Sequence, residues 1–274
     1  MQEVLNGKKA FRMNFYGFGD KNNPTIFLIH GTASHWKLSF GQVINGLSDE
    51  YHVVCVALDG HDERDNTEMI SIMNEVEKIE SHIQKIYASS IYAIYGSSLG
   101  GSIVAKLLER GNIDIYNAIT GSTDFDFSTG LKAIILSKAI TRILYNNFIS
   151  GEIKGVFKLF VTSEEKKKYL KILDKVIYKD ITYETLYKEY YTDLIMPIRE
   201  NILLEKTKIY CVFGTEEDSN KLINRYKTYL PTAKIIGLSG LNHEELLFRH
   251  PEEWVNMIKS LLNTGYYKYN SDSM

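Results

Sequence analysis

Hydrophobic positions recur along this chain in two alternating rhythms. Short, almost unbroken apolar runs rich in β-branched residues occur at 25–29, 51–58, 90–95, 116–120, 208–213 and 233–238. Runs of this kind suit strands covered on both faces of a parallel sheet. Residues 11–18 alternate more loosely and end in Gly17-Phe18-Gly19-Asp20, which predicts an edge strand or hairpin ahead of the core. Between the runs the period lengthens. Residues 67–87 place Met69, Ile72, Met73, Val76, Ile79, Ile83 and Ile86 along one helix face. Helices are also predicted over 36–47, 101–108, 219–229 and 251–262, the last with Pro251 in its first turn.

From 125 to 201 the alternation stops, and only helical patterns appear. They cover 131–148, 164–177 and 183–194, the second with Leu170, Leu173, Val176 and Ile177 on one face. Strand–helix alternation implies a parallel sheet with helices on both faces. The expected fold class is therefore α/β: a doubly wound, mostly parallel sheet with an inserted all-helical segment. The core comprises residues 1–124 and 202–274, and the insertion residues 125–201. The tail, 263–274, is polar and expected to be loose.

Bulk composition narrows the class without naming it. The chain has 274 residues, 44% hydrophobic and 24% charged, enough for a sizeable core. A formal net charge of -2 offers no attraction to nucleic acid or to an anionic membrane. Cys55 and Cys211 fall in predicted strands and read as small buried apolar residues, so no disulfide framework is expected. Residues 1–7 lack the features of a signal peptide. The most apolar helical stretch, 131–144, is broken by Lys132, Lys138 and Arg142, so no stable membrane insertion is expected. Together these imply a cytoplasmic protein.

The candidate chemistry lies at strand ends. Gly96, Ser98 and Gly100 spell G-x-S-x-G between a predicted strand and a predicted helix, the layout of a nucleophile elbow. His30-Gly31, Asp59-Gly60-His61, Asp124, Glu217 and His243 also follow strands. Ligands in open α/β sheets bind beyond those carboxyl ends. A serine hydroxyl becomes a good nucleophile only when a base takes its proton. That base is usually a histidine held by a carboxylate. Residues 214–218, Gly-Thr-Glu-Glu-Asp, and 240–244, Gly-Leu-Asn-His-Glu, supply both downstream.

Plainer readings stand beside these. The elbow could be a glycine-rich turn without chemistry. His30 would bond within its own loop, Ser97 would point away from the cleft, and His250 would serve at the start of the last helix. His61 with Asp62 and Asp65 fits no metal-ligand spacing, so no metal or cofactor is expected. Glu244 and Glu245 read as a solvated first helical turn. The tyrosines of the insertion read as packing.

In its H-G after the first parallel strand, its G-x-S-x-G, its late strand-end acid and its C-terminal G-x-x-H, the chain resembles the α/β-hydrolase superfamily over nearly its whole length outside the insertion. The resemblance implies Ser98 as nucleophile, His243 as general base, and Glu217 or Asp218 as the acid; Glu217 holds the usual spacing from Gly214 and is the first choice, while Asp218 directly precedes a helix start and is the alternative, with Asp124 in reserve. It implies an oxyanion hole formed by the backbone N–H groups of Thr32 and Leu99, with Gly96 and Gly100 shaping the elbow. The family usually shows Asp where this chain has Glu217, and G-H-G where it has Gly60-His61-Asp62. The insertion would then be a cap, more mobile than the sheet. Its Leu131, Ile134, Ile135, Ile140, Ile143, Leu144, Phe148, Phe157, Leu159 and Phe160 would favour a small-molecule ester with a short-to-medium apolar acyl chain. The expected activity is carboxylic-ester hydrolysis through an acyl-enzyme. Carbon–carbon bond hydrolysis, acyl transfer and a non-catalytic binding module are the alternatives, because one fold and one triad host several chemistries.

Overall fold

In a computed structural model of the chain, residues 13–64, 67–149, 164–265 and 267 are described. Their strands form one seven-stranded sheet in the order β1-β3-β2-β4-β5-β6-β7. The strands are β1 (Asn14–Phe18), β2 (Thr25–Ile29), β3 (His52–Ala57), β4 (Ser90–Ser97), β5 (Asp114–Gly121), β6 (Lys208–Gly214) and β7 (Lys234–Leu238). Only β1 is antiparallel, paired along the edge of β3. After β2 the chain steps outward to β3 and then returns to the other side of β2 for β4. That reversal opens a crevice at the carboxyl ends of β2 and β4.

The apolar strand runs are explained by two cores. Ile26, Leu28, Val53 and Cys55 face one layer, while Phe27, Ile29, Val54 and Val56 face the other, so both sides of each strand must be apolar. Helices α3 (Ile72–Ile86) and α4 (Leu99–Arg110) cover one face. Helices α1 (Trp36–Phe40) and α2 (Ile44–Ser48) lie on the opposite face with α9 (Glu245–Arg249) and α10 (Pro251–Thr264). Helix α8 (Ser219–Tyr229) packs on β6 and β7 in the same layer as α3 and α4.

Several boundaries differ from the sequence reading. The helix expected over 36–47 is two short ones, broken at Gly41, the poorest helix former short of proline. The helix expected from 67 begins at Ile72, because the Ser71 hydroxyl accepts the Asn74 N–H at 3.1 Å and caps it there. Met69 is buried ahead of the helix. Asn263 and Thr264, expected in the tail, belong to α10.

Between β5 and β6 lie α5 (Gly130–Leu144), one π-helical turn (Tyr145–Ile149), α6 (Glu164–Val176) and α7 (Tyr183–Leu194). The helix expected over 131–148 thus loses its α geometry at Tyr145. Phe157, Leu159 and Phe160 lie outside the described residues. Among the described residues, no helix is long and apolar enough to cross a membrane.

Candidate active site

The elbow closes tightly because two glycines allow it. A Cβ on Gly96 would run into the Gly100 carbonyl, and one on Gly100 would run into the Ile29 carbonyl. Between them Ser98 has φ +50° and ψ -111°, a strained backbone for a residue with a side chain. The strain is held from both sides. The Ser98 N–H donates to the Gly121 carbonyl at 2.7 Å, and its own carbonyl accepts the Thr123 hydroxyl at 3.1 Å. Ser98 stands at the N-cap of α4 but makes no side-chain capping bond, and it lines a cavity of about 500 Å³.

His243 lines the same cavity from the loop after β7, and Glu217 from the turn after β6. The His243 Nδ1 lies 2.7 Å from Glu217 Oε2. The other carboxylate oxygen of Glu217 accepts the Gly214 N–H at 2.9 Å and the Ser122 hydroxyl at 2.7 Å. Burial alone would push the Glu217 carboxyl up, but His243, Ser122 and Gly214 outweigh it and hold it below its ordinary value. Burial likewise would lower His243, yet the bond to Glu217 and the nearby carboxylates raise it. Asp218 does something else: its carboxylate accepts the Lys221 N–H at 3.1 Å and caps α8. Asp124 lines the cavity, and its carboxylate accepts the Asp126 N–H at 3.1 Å.

Thr32 and Leu99 also line the cavity. Among the described residues neither backbone N–H is taken up by a protein acceptor. His30 holds the turn before Thr32. Its Nε2 accepts the Leu58 N–H at 3.3 Å, which leaves Nδ1 to donate to the Gly31 carbonyl at 3.0 Å. Burial and neighbouring His61 keep His30 well below the ordinary imidazole value, so it stays neutral.

Three features were not legible beforehand. Ser122 bridges the site, donating to Glu217 and accepting the Glu244 N–H at 3.2 Å. Its position in Gly121-Ser122-Thr123-Asp124, just past a strand, was the available signal. Glu244 and Glu245 are not solvated; both are buried. Glu244 has φ +55° and a carboxylate that accepts the Tyr95 hydroxyl at 2.6 Å, while burial pushes its carboxyl up to about 7. Glu245 clamps Asn242, taking its N–H at 2.9 Å and its side-chain amide at 2.7 Å. Third, Tyr169 of the insertion is more than packing: its hydroxyl donates to the His243 carbonyl at 2.6 Å.

The far wall of the cavity comes from the insertion, with Leu136, Ile140, Leu144, Leu173 and Val176. Leu131, Ile135 and Ile143, expected to shape a pocket, are exposed on the other side of α5. Among the described residues no cluster of His, Cys, Asp or Glu could hold a metal ion.

The sheet order, the elbow and the inserted helices define the α/β-hydrolase fold. Solved structures agree. An α/β-hydrolase family protein from Desulfitobacterium hafniense superposes with a TM-score of 0.78 at 21% identity, over 91% of this chain and all of the other. MenH from S. aureus gives 0.67 at 17%, over 91% and 97% of the two chains. A thermophilic esterase from Thermogutta terrifontis gives 0.72 at 12%, over 93% and 94%. By sequence alone, no protein-family model and no curated protein matches the chain.

Proposed function

We propose that the protein is a serine hydrolase that cleaves carboxylic esters through an acyl-enzyme. The observation that carries this is the 2.7 Å contact of His243 Nδ1 with Glu217, in a cavity that Ser98 also lines. In this reading Glu217 fixes the tautomer with hydrogen on Nδ1, leaving Nε2 to take the proton from Ser98. The Ser98 oxygen attacks the ester carbonyl, and the resulting oxyanion is met by the Thr32 and Leu99 N–H groups. Each such donor contributes about 2.7–4 kcal/mol to the transition state. His243 passes its proton to the departing alcohol. Water then attacks the acyl-enzyme with His243 again as base, releasing the acid and freeing Ser98.

Residues 125–201 act as a cap over a core made of 1–124 and 202–274. The apolar side chains of α5 and α6 in the cavity wall support a short-to-medium acyl chain as the group bound there. The test is labelling with a fluorophosphonate probe, followed by nitrophenyl esters of graded acyl length. Labelling at Ser98 and a rate maximum at short-to-medium chains are expected. An unlabelled Ser98 in folded protein would leave a binding module as the better reading.

A further inference from the structure

The loop that carries Thr32 is held by the inserted helices. The Ala33 N–H donates to Glu189 Oε2 of α7 at 3.1 Å. The Ala33 carbonyl accepts the Tyr178 N–H at 2.8 Å, and the Ser34 hydroxyl donates to the Val176 carbonyl at 2.8 Å. Ala33 needs such support, because its φ of +54° is one that an alanine rarely adopts.

Glu189 is the side chain that the insertion contributes to this set, and it is wholly buried. Its second oxygen, Oε1, lies 3.1 Å from Nε2 of His61, which is also wholly buried. His61 Nδ1 lies 3.0 Å from the Asp59 carbonyl, which takes a hydrogen from that nitrogen. Nε2 and Oε1 face each other closely, though they are not aligned as a hydrogen bond. The carboxylate thus joins three elements: α7, the loop after β3 and the loop after β2. Side chains sealed from water hold their geometry only while each polar group keeps its partner.

We propose that Glu189 is a positioning residue for the oxyanion loop: buried beside His61, its carboxylate fixes the Ala33 peptide and with it the adjoining Thr32 N–H. The cap then does more than exclude water, because its seating completes the loop that would receive the oxyanion. This rests on the ester-hydrolase reading for its catalytic consequence, but the structural coupling does not depend on it.

The test compares Glu189→Ala, Glu189→Gln and Thr192→Ala in the full chain. Thr192 Oγ1 accepts the Ile72 N–H at 3.0 Å, so its loss loosens α7 without touching the oxyanion loop. Glutamine can still accept from Ala33 while its amide donates to a neutral His61. Amide exchange over 31–34 should accelerate in Glu189→Ala, recover in Glu189→Gln and stay as in wild type in Thr192→Ala. With nitrophenyl esters, Glu189→Ala should lower kcat about 100-fold, the cost of a misplaced group, with KM within a few-fold. Glu189→Gln should recover most of that loss. Unchanged exchange at 31–34 in Glu189→Ala overturns the proposal even if the protein hydrolyses no ester. So does equal acceleration in Thr192→Ala, or a Glu189→Ala effect confined to KM. Absence of ester turnover in wild type, with the exchange pattern as expected, sinks the hydrolase reading alone.

Discussion

Glu217 stands with its Oε2 2.7 Å from His243 Nδ1. Asp218, one residue on, turns the other way and caps α8 through the Lys221 N–H. Glu217→Gln should therefore cost about 10⁴-fold in kcat, the scale seen when an amide replaces the orienting acid of a triad. Asp218→Asn should change little, since Asn caps a helix as well as Asp, whereas Asp218→Ala should cost about 1 kcal/mol of stability. Steady-state kinetics and thermal unfolding of the three variants check both halves. A large kinetic loss in Asp218→Asn would transfer the acid's role to that residue.

Ser98, the proposed nucleophile, has a strained backbone. Ser98→Ala should abolish ester turnover while the protein folds. Ser98→Gly should be equally inactive yet more stable than the alanine variant by about 1 kcal/mol, because glycine adopts φ +50° without a Cβ clash. Calorimetry of the two variants decides; a glycine variant no more stable than alanine would mean that the elbow carries no strain.

The pH profile follows from two neighbouring groups. In its proposed role as base, His243 must be neutral. Although burial would lower its pKa, Glu217 and Glu244 raise it above the ordinary 6.5. Glu217 is held below 4.5 and stays ionised throughout. So kcat/KM should rise with pH through a midpoint above 6.5. Glu244, pushed by burial to about 7, ionises over the same range, and its charge favours the imidazolium. Glu244→Gln, which keeps a partner for Tyr95, should move the midpoint down. Stability runs in the opposite sense. A histidine raised in the fold stabilises fully below its unfolded pKa, and that contribution is lost as pH rises through the folded value. A midpoint below 6.5, or one indifferent to Glu244→Gln, contradicts this account.

The insertion is not uniform. Helix α7 is fastened by Glu189 and Thr192, and its Thr185 packs against Gly60 so closely that a Cβ there would clash. Helix α5 leaves Leu131 71% and Ile135 59% exposed. Native-state hydrogen exchange should find α5 amides opening before those of α7, with α7 nearer to the sheet. Simultaneous opening of both would mean that the insertion moves as one unit.

The hydrophobic pattern alone was enough for the strands. Residues buried on both faces must be apolar at every position, and that leaves an unbroken run at 26–29 or 209–213. The elbow was legible for a similar reason: its glycines answer a steric need within a few residues. The spacing from Gly214 and the start of α8 also separated two neighbours: Glu217 meets His243 and Asp218 caps the helix. These are local constraints, written into neighbouring positions.

What only the tertiary structure decided are the pairs that meet across the chain. Ser122 reaches Glu217 and Glu244 over separations of 95 and 122 residues, and Ala33 reaches Glu189 over 156. Glu244 looked like a surface acid because nothing near it in sequence shows that Tyr95 lies behind it. A charge next to a helix start is ordinary; its burial depends on where the sheet brings a partner. Local sequence specifies backbone periodicity and tight turns, because those energies arise between near neighbours. The environment of a buried polar group is set by the closing of the whole sheet and the seating of the inserted helices.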